Sequence, residues 1–325
     1  MTSKELVLKT MRGENPGRTP VYGWVRFELE KPITEAFGSV ENFEDHYRFD
    51  MAHLFGGPGL LSREDNDEII DMQRKGIEIT PEVLLSYEFQ DPTDMEGYQG
   101  VLDGMKHHRQ RDRFCYVQTG GIFEPMNGFF GIENHLLYMA LYPDELMEVY
   151  RRLADWNIKN AKNLIELGVD CIHVSDDWGS QRSMLFSPAM FEEMILPLHI
   201  EMAAQCKKAG VMTSLHSDGC ITPVLDHIAQ IGYDFIHPWQ EVCQMPYSIY
   251  LDKHQDKFGI LGGVCIQSTL GFGNIPRVKS EIERVFSILK GKRWACCTTH
   301  FVESTCSMEE LTFAYDLIRK LADKT

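Results

Sequence analysis

Residues 211–220 read VMTSLHSDGC. Val211 to Leu215 form an apolar run that fits a buried strand, and His216 and Asp218 follow it directly. Two side chains separated by one residue on an extended chain point to the same face, so both can reach one small object. The stretch therefore predicts a buried strand whose end carries a functional pair.

The same alternation of short apolar runs with long amphipathic runs continues from about residue 112 onward. It is typical of βα units around a parallel sheet. The predicted strands are 114–119, 171–175, 211–215, 235–238, 260–264 and 295–299, with two earlier ones in TPVYGWV (19–25) and MAHLFGG (51–57). Eight strands with helices between them, in a chain of 325 residues, favour a (β/α)8 TIM barrel over a doubly wound sheet.

Residues 62–112, with DNDEIIDMQRKGIEIT and DPTDMEGYQGVLDG, break this alternation. We expect them to be an insertion that partly covers the mouth of the barrel, within a single domain of residues 1–325.

Helix signals elsewhere in the sequence agree with the barrel. Ser187 before Pro188 predicts a helix start, Pro197 predicts a kink, and Ser307 with Glu310 predicts a capping box.

Charge and composition narrow the class of protein. The chain is 43% hydrophobic and has 32 basic against 48 acidic residues, a formal charge of −16, which argues against nucleic acid and anionic membrane partners. The sequence contains no export signal and no apolar run long enough to span a bilayer, so we expect a cytoplasmic protein. Its nine scattered cysteines are then expected to be reduced thiols.

In such a barrel the carboxyl ends of the strands form the active face. Carboxylates follow the third and fourth predicted strands, and we expect them to supply a proton or orient the substrate: Glu124, Asp176 and Asp177. The expected substrate contacts are Trp24, Arg26, Trp178, Gln181 and Gln240. Simpler interpretations stay open, because one aspartate can cap a helix, Glu124 can be an ordinary loop residue and the tryptophans can close the barrel top.

Histidine and carboxylate ligands that arrive from separate strands, with one coordination position open, are what a catalytic zinc ion needs. His216, Asp218 and His300 are the predicted ligands. The alternative is that the pair at 216 and 218 is only a hydrogen-bonded strand end. The glycine-rich stretches GGIFEPMNGFFG and GFGNI lack the spacing of a phosphate-binding loop, which excludes a nucleotide site.

Four segments, in order, resemble the uroporphyrinogen decarboxylase superfamily, over residues 113–325. They are SDDWGSQRSMLFSPAMFEEMILPLH, LHSDGCITPVLDHIAQIGYDFIHPWQ, LGGVCIQSTLGFG and TTHFVESTCSMEEL. The resemblance implies a (β/α)8 barrel. Decarboxylases proper carry an arginine-rich loop after the first strand and an aspartate after the second. Here WVRFELEKP has Arg26 alone and HLFGGPG has no aspartate, which argues against that reaction.

The other branch of the superfamily consists of corrinoid-dependent methyltransferases, which bind zinc through an H-x-C motif after strand five and a late ligand after strand eight. His216 and His300 match those places, and Asp218 stands where the family has cysteine. A carboxylate in place of a thiolate makes zinc a stronger and less thiol-selective Lewis acid, which fits an oxygen or nitrogen leaving group better than a thiol. Cys220 is an alternative ligand.

The resemblance therefore implies a methyltransferase that moves a methyl group from a methoxylated or methylated small molecule to a separate corrinoid protein, whose domain covers the barrel mouth. Superfamily members are often monomers or dimers, so a homodimer is one of the states it allows. Two alternatives stay open. One is a metal-independent decarboxylase or lyase with Asp176 and His300 as acid and base, and the other is a non-catalytic ligand-binding protein.

Overall fold

The computed structural model describes residues 1–324, which form an α/β fold with a parallel sheet of seven strands in chain order. The strands are β1 (Met51–Leu54), β2 (Phe114–Gly120), β3 (Cys171–Ser175), β4 (Met212–His216), β5 (Phe235–His237), β6 (Gly259–Val264) and β7 (Trp294–Thr298). This strand order is compatible with a TIM barrel.

Fifteen α-helices lie in the described part of the chain. They are α1 (Ser3–Met11), α2 (Glu30–Phe37), α3 (Val40–His46), α4 (Arg63–Arg74), α5 (Pro81–Leu85), α6 (Gln99–Arg109), α7 (Asn127–Phe130), α8 (Ile132–Leu141), α9 (Pro143–Glu166), α10 (Pro188–Met190), α11 (Leu196–Ala209), α12 (Leu225–Ile231), α13 (Tyr247–Lys253), α14 (Ile275–Leu289) and α15 (Met308–Ala322). Short 3-10 turns occupy Met95–Tyr98, Glu124–Met126, Thr222–Val224 and Glu241–Cys243, and a π-helical turn occupies Phe191–Ile195. No helix among residues 1–324 combines the length and the apolar character needed to cross a bilayer.

Seven of the eight predicted strands are present, and the prediction of a full strand at 19–25 was wrong. In that segment only Val21 forms a bridge, to Cys296 of β7. Pro20 has no N–H to donate, and the N–H of Trp24 donates to the side-chain oxygen of Thr298 at 3.1 Å instead of to a backbone carbonyl. A regular ladder of backbone hydrogen bonds is therefore interrupted at both ends of the segment.

The chain forms two compact units. The first unit contains residues 1–53, 107–115 and those from 234 onward, and the second unit contains residues 54–106 and 116–233. In the second unit, β2, β3 and β4 pair in parallel. At their carboxyl ends Gly120 is in register with Ser175, and Ser175 is in register with His216. The polar residues that follow these three strands therefore start from one edge of the sheet.

Helices α9 and α11 pack against each other in the second unit. Helix α9 begins at Pro143 with two acidic residues in its first turn and ends before Gly168, whose φ of +88° is the left-handed conformation in which helices commonly stop. Ser187 accepts a hydrogen bond from the Met190 N–H at 3.1 Å, which confirms the predicted cap. Pro197 predicts a kink in the helix. The irregularity in the structure is the π-helical turn Phe191–Ile195, which lies just before this proline.

In the first unit, β5, β6 and β7 pair in parallel, and α14 and α15 pack together. Ser307 caps α15 by accepting a hydrogen bond from the Glu310 N–H at 3.1 Å. Glu310 does not close the predicted capping box, because its carboxylate accepts a hydrogen bond from the N–H of Gly273 at 3.2 Å. Residues 62–112 are largely helical, in α4 to α6. Their role as a cover for the barrel mouth stays a prediction.

Candidate functional site

The centre of the site in the second unit is the carboxylate of Asp176, which is fully buried. Its Oδ1 accepts hydrogen bonds from the backbone N–H groups of Phe123 and Glu124, at 2.8 and 2.6 Å. Its Oδ2 accepts from the N–H of Ile122 at 3.1 Å and from Nε1 of Trp178 at 2.8 Å. Both oxygens are thus held by the protein.

A fifth group completes the surroundings of Asp176. Nε2 of His199, on α11, lies 2.8 Å from Oδ2, and Nδ1 of the same ring lies 2.6 Å from the hydroxyl of Tyr233. Burial acts to raise the pKa of Asp176, but the hydrogen bonds from His199 and the backbone outweigh burial and lower it. Asp176 is therefore a structural anion at neutral pH.

Glu124 lies beside this anion and differs from it electrostatically. The hydroxyl of Ser175 donates to Oε2 of Glu124 at 2.8 Å. Burial, and after it the negative charge of Asp177, raise the pKa of Glu124 to about 7. A carboxyl group that titrates near neutral pH can both give and take a proton under physiological conditions. The predicted proton-transfer role suits Glu124 better than Asp176.

The predicted metal ligands of β4 lie next to these carboxylates. His216 is buried and Asp218 is half-buried, and their ligand atoms lie within 4.8 Å of each other. Oδ1 of Asp177 accepts a hydrogen bond from the Asp218 N–H at 2.7 Å and lies 3.8 Å from Nε2 of His216. An imidazole and a carboxylate at this separation fit the donor set of zinc.

The other candidate ligands have distinct surroundings. His300 lies in the first unit, two residues after β7, and burial lowers its pKa, which favours the neutral imidazole that binds metals. The thiol of Cys220 is buried and lies 3.7 Å from the hydroxyl of Thr222.

The predicted substrate contacts occupy several environments. Trp24 is buried in the first unit, with ring centroids of His300 and Phe301 at 5.1 and 5.8 Å. Arg26 forms ion pairs with Glu41 at 3.0 Å and Glu44 at 3.1 Å. Its guanidinium is therefore largely neutralised by the protein.

The remaining three predicted contacts are Gln240, Trp178 and Gln181. Gln240 is buried in the first unit and accepts a hydrogen bond from the Cys243 thiol at 3.4 Å. Trp178 is fully buried, packs against the rings of Phe191 and His199, and holds Asp176. Gln181 is exposed in the loop after β3. The roles of these residues toward a substrate stay predictions.

Sequence reasoning missed two residues of this site, Ser175 and His199. In the sequence, Ser175 is only the last residue of a predicted strand. His199 shares the buried face of α11 with Met202, Ala203 and Cys206, at helical spacing. A histidine at a core position of an amphipathic helix was the available signal, since a buried imidazole needs hydrogen-bond partners.

Gly121 provides a test of how tightly the loop after β2 is built around Asp176. A Cβ at residue 121 would overlap with the Asp176 side chain, so Gly121→Ala is expected to lower the free energy of unfolding by about 2 kcal/mol or more. Gly128→Ala is the matched control, because a Cβ there meets nothing within 4 Å. Urea denaturation of both variants measures the difference. Equal stabilities would contradict the close packing.

Known structures superpose on this chain to different extents. A methyltransferase from Methanosarcina mazei superposes with a TM-score of 0.71 over 98% of both chains, at 16% sequence identity. A B12-independent methionine synthase from Shewanella sp. W3-18-1 gives a TM-score of 0.48 over 68% of this chain and 65% of its own, at 11% identity. A sugar phosphate isomerase/epimerase from Parabacteroides distasonis gives 0.44 over 94% and 92%, at 13% identity. At 16% identity the likeness to the methyltransferase is one of fold.

The sequence comparison is more specific. A search of curated proteins finds no match. The family model for uroporphyrinogen decarboxylase matches residues 86–321, well over half of the 325 residues, and this range includes β2 to β7 with the carboxylate and histidine cluster at the strand ends. On this evidence the chain belongs to the uroporphyrinogen decarboxylase family.

Proposed function

We propose that this protein is a zinc-dependent methyltransferase that moves a methyl group from a methoxylated or methylated small molecule to a separate corrinoid protein. The observation that carries the proposal is the adjacency of a pair that could bind a metal ion, His216 and Asp218, to a carboxyl group with a pKa near neutral, Glu124, on the same sheet edge. The methyltransferase with the shared fold supports the reaction class.

The proposed ligands are His216, Asp218 and His300, which follow β4 and β7. The resemblance to the methyltransferases implies ligands at both places, a pair after β4 and a late ligand after β7. Zinc bound there would polarise the oxygen or nitrogen atom that carries the methyl group. Asp177 holds the backbone of Asp218 and would thus fix the orientation of this carboxylate.

Glu124 is the proposed proton donor. When the methyl group leaves an ether, the bond between oxygen and the methyl carbon breaks, and the oxygen keeps the electron pair. The reduced cobalt of the corrinoid supplies two electrons to the new cobalt–carbon bond, and the proton of Glu124 neutralises the departing oxygen. The hydroxyl of Ser175 holds the Glu124 carboxyl group for this step.

Trp24 and the neighbouring ring of Phe301 are the proposed contacts for an apolar part of the methyl donor. The corrinoid protein would approach the carboxyl ends of the strands, because its cobalt must reach the methyl group. We further propose that residues 62–112 help to cover this face.

A metal-independent lyase that uses Asp176 as its acid is less well supported, because both oxygens of Asp176 already accept hydrogen bonds from the protein.

The test is a methyl-transfer assay with cob(I)alamin as a soluble stand-in for the corrinoid protein. Zinc-loaded protein is incubated with a panel of methoxylated aromatics, methanol and methylamines, and formation of methylcobalamin is followed by its absorbance. We expect product from at least one compound class, and its loss after chelation with return on added zinc. Turnover of a carboxylic acid to carbon dioxide by chelated protein, without methyl transfer, would favour the lyase.

A further inference from the structure

His199 is a buried residue that the proposed mechanism does not use. Its side chain and that of Asp176 are both completely shielded from solvent, with Nε2 and Oδ2 2.8 Å apart. Tyr233 lies 2.6 Å from the other ring nitrogen. A buried imidazole with partners on both nitrogens has a single orientation, and here that orientation is directed at Asp176.

Asp176 in turn organises the loop that carries Glu124. Three consecutive N–H groups, those of Ile122, Phe123 and Glu124, converge on its carboxylate. Successive backbone N–H groups that point into one concavity form an anion-binding nest. The anion in this nest is supplied by the chain itself, so the conformation of the loop depends on where the Asp176 carboxylate is held.

Other contacts also support the shape of the loop. The N–H of Gly121 donates to the carbonyl of Ser175 at 2.7 Å, and the ring of Phe123 stacks on His135 with centroids 4.5 Å apart. Neither contact involves the backbone of Glu124. The Glu124 carbonyl accepts a hydrogen bond from the Asn127 N–H within the loop, and the Glu124 N–H, which donates to Asp176 at 2.6 Å, connects this residue's backbone to the segment after β3.

We propose that His199, on α11, is a positioning residue. It holds the Asp176 carboxylate in place and thereby places Glu124 in the site. The effect passes through two contacts, from the imidazole to the carboxylate and from the carboxylate to the loop. The proposal rests on the proposed function in assigning proton transfer to Glu124. The placement of Glu124 itself can be measured without any activity.

Loss of the imidazole has an electrostatic consequence for Glu124. The charged groups that face Glu124 are Asp176 and Asp177, both in the segment after β3, and Ser175 donates to it. Without His199, Asp176 either takes up a proton, which removes a negative neighbour, or lets the loop open, which exposes Glu124 to water. Both changes lower the pKa of Glu124.

The experiment measures the titration of Glu124 by carbon NMR, in full-length protein labelled with [¹³C]glutamate and assigned with Glu124→Gln. His199→Met removes the donor at similar volume. His199→Gln is the conservative variant, since its amide nitrogen can reach Asp176. His254→Met, at another buried histidine that stacks on Phe258, is the control for general destabilisation.

We expect His199→Met to lower the titration midpoint of Glu124 by about one unit or more, and His199→Gln and His254→Met to leave it near the wild-type value. In the methyl-transfer assay, kcat of His199→Met should fall about tenfold or more while KM changes little, and His199→Gln should recover most of it. If His199→Met does not fold, His199→Asn, whose amide is too short to reach Asp176, takes its place.

An unchanged Glu124 titration in the variant without a donor, with a loss of stability similar to that of His254→Met, would overturn the positioning role. A shifted titration in a protein that transfers no methyl group to any corrinoid would leave the positioning role standing and overturn the proposed function. The two failures are therefore distinguishable.

Discussion

His216→Ala and Asp218→Ala are each expected to lose bound zinc and to lower methyl transfer by about a thousandfold, because polarisation of the leaving atom by a metal contributes several kcal/mol to the transition state. The two side chains offer ligand atoms within 4.8 Å of each other at the end of β4. Removing either one leaves an incomplete set of protein ligands. Elemental analysis of protein purified without added metal, together with the methylcobalamin assay, measures both effects.

Two further variants control this prediction. Cys220→Ser is expected to retain zinc, because the thiol of Cys220 is directed toward Thr222. Asp218→Cys recreates the H-x-C pattern of the related methyltransferases and is also expected to retain zinc. Loss of zinc from Cys220→Ser, with zinc retained by Asp218→Ala, would show that the thiol and not the carboxylate is the ligand.

Glu124→Gln is expected to lower methyl transfer about a hundredfold or more and to remove its dependence on pH near neutrality, since the amide cannot donate an acidic proton. For the wild-type protein we expect the rate to fall as the pH rises through about 7, the pKa of Glu124, because the protonated form is the donor. Rates between pH 5.5 and 8.5 measure this profile. A rate that rises over this range would instead identify Glu124 as a base.

Glu124→Gln, which is expected to lower activity, is expected to raise stability. The pKa of Glu124 rises from 4.5 in the unfolded chain to about 7 in the folded protein, so the folded state binds the proton more tightly. Stability is therefore lost as the pH rises from 4.5 to 7, and above pH 7 Glu124→Gln should recover up to about 3 kcal/mol. Below pH 4.5 no gain is expected. Glu133→Gln, at an exposed position in the first turn of α8, is the control and should change the free energy of unfolding by less than about 1 kcal/mol in urea denaturation.

A gain in stability from Glu124→Gln at pH 8, combined with a loss of activity, would indicate a carboxyl group kept in an unfavourable environment for its chemistry. If stability and activity both stay unchanged, Glu124 has no part in the reaction, and Asp177 becomes the next candidate for proton transfer.

The local sequence determined most of the fold. Short apolar runs such as 171–175 and 211–215 lie in strands of the structure. The sequence can predict such strands, because the burial of a run depends mainly on the residues within it. The alternation of side chains on an extended chain also predicts that His216 and Asp218 lie close together, and their ligand atoms lie within 4.8 Å of each other. The strand expected at 19–25 failed because a single Pro20 and the hydroxyl of Thr298 altered its hydrogen bonds, and the second of these lies 274 positions from Trp24.

The chemical character of the site was decided by the tertiary structure. Asp176 and Asp177 are adjacent and identical in the sequence, but hydrogen bonds from His199 and residues 122–124 lower the pKa of Asp176, while burial raises that of Asp177. Glu124 reaches its pKa of about 7 through burial and through a carboxylate 53 positions away. Burial and charge proximity depend on which segments pack together, and no pattern within one segment contains that information.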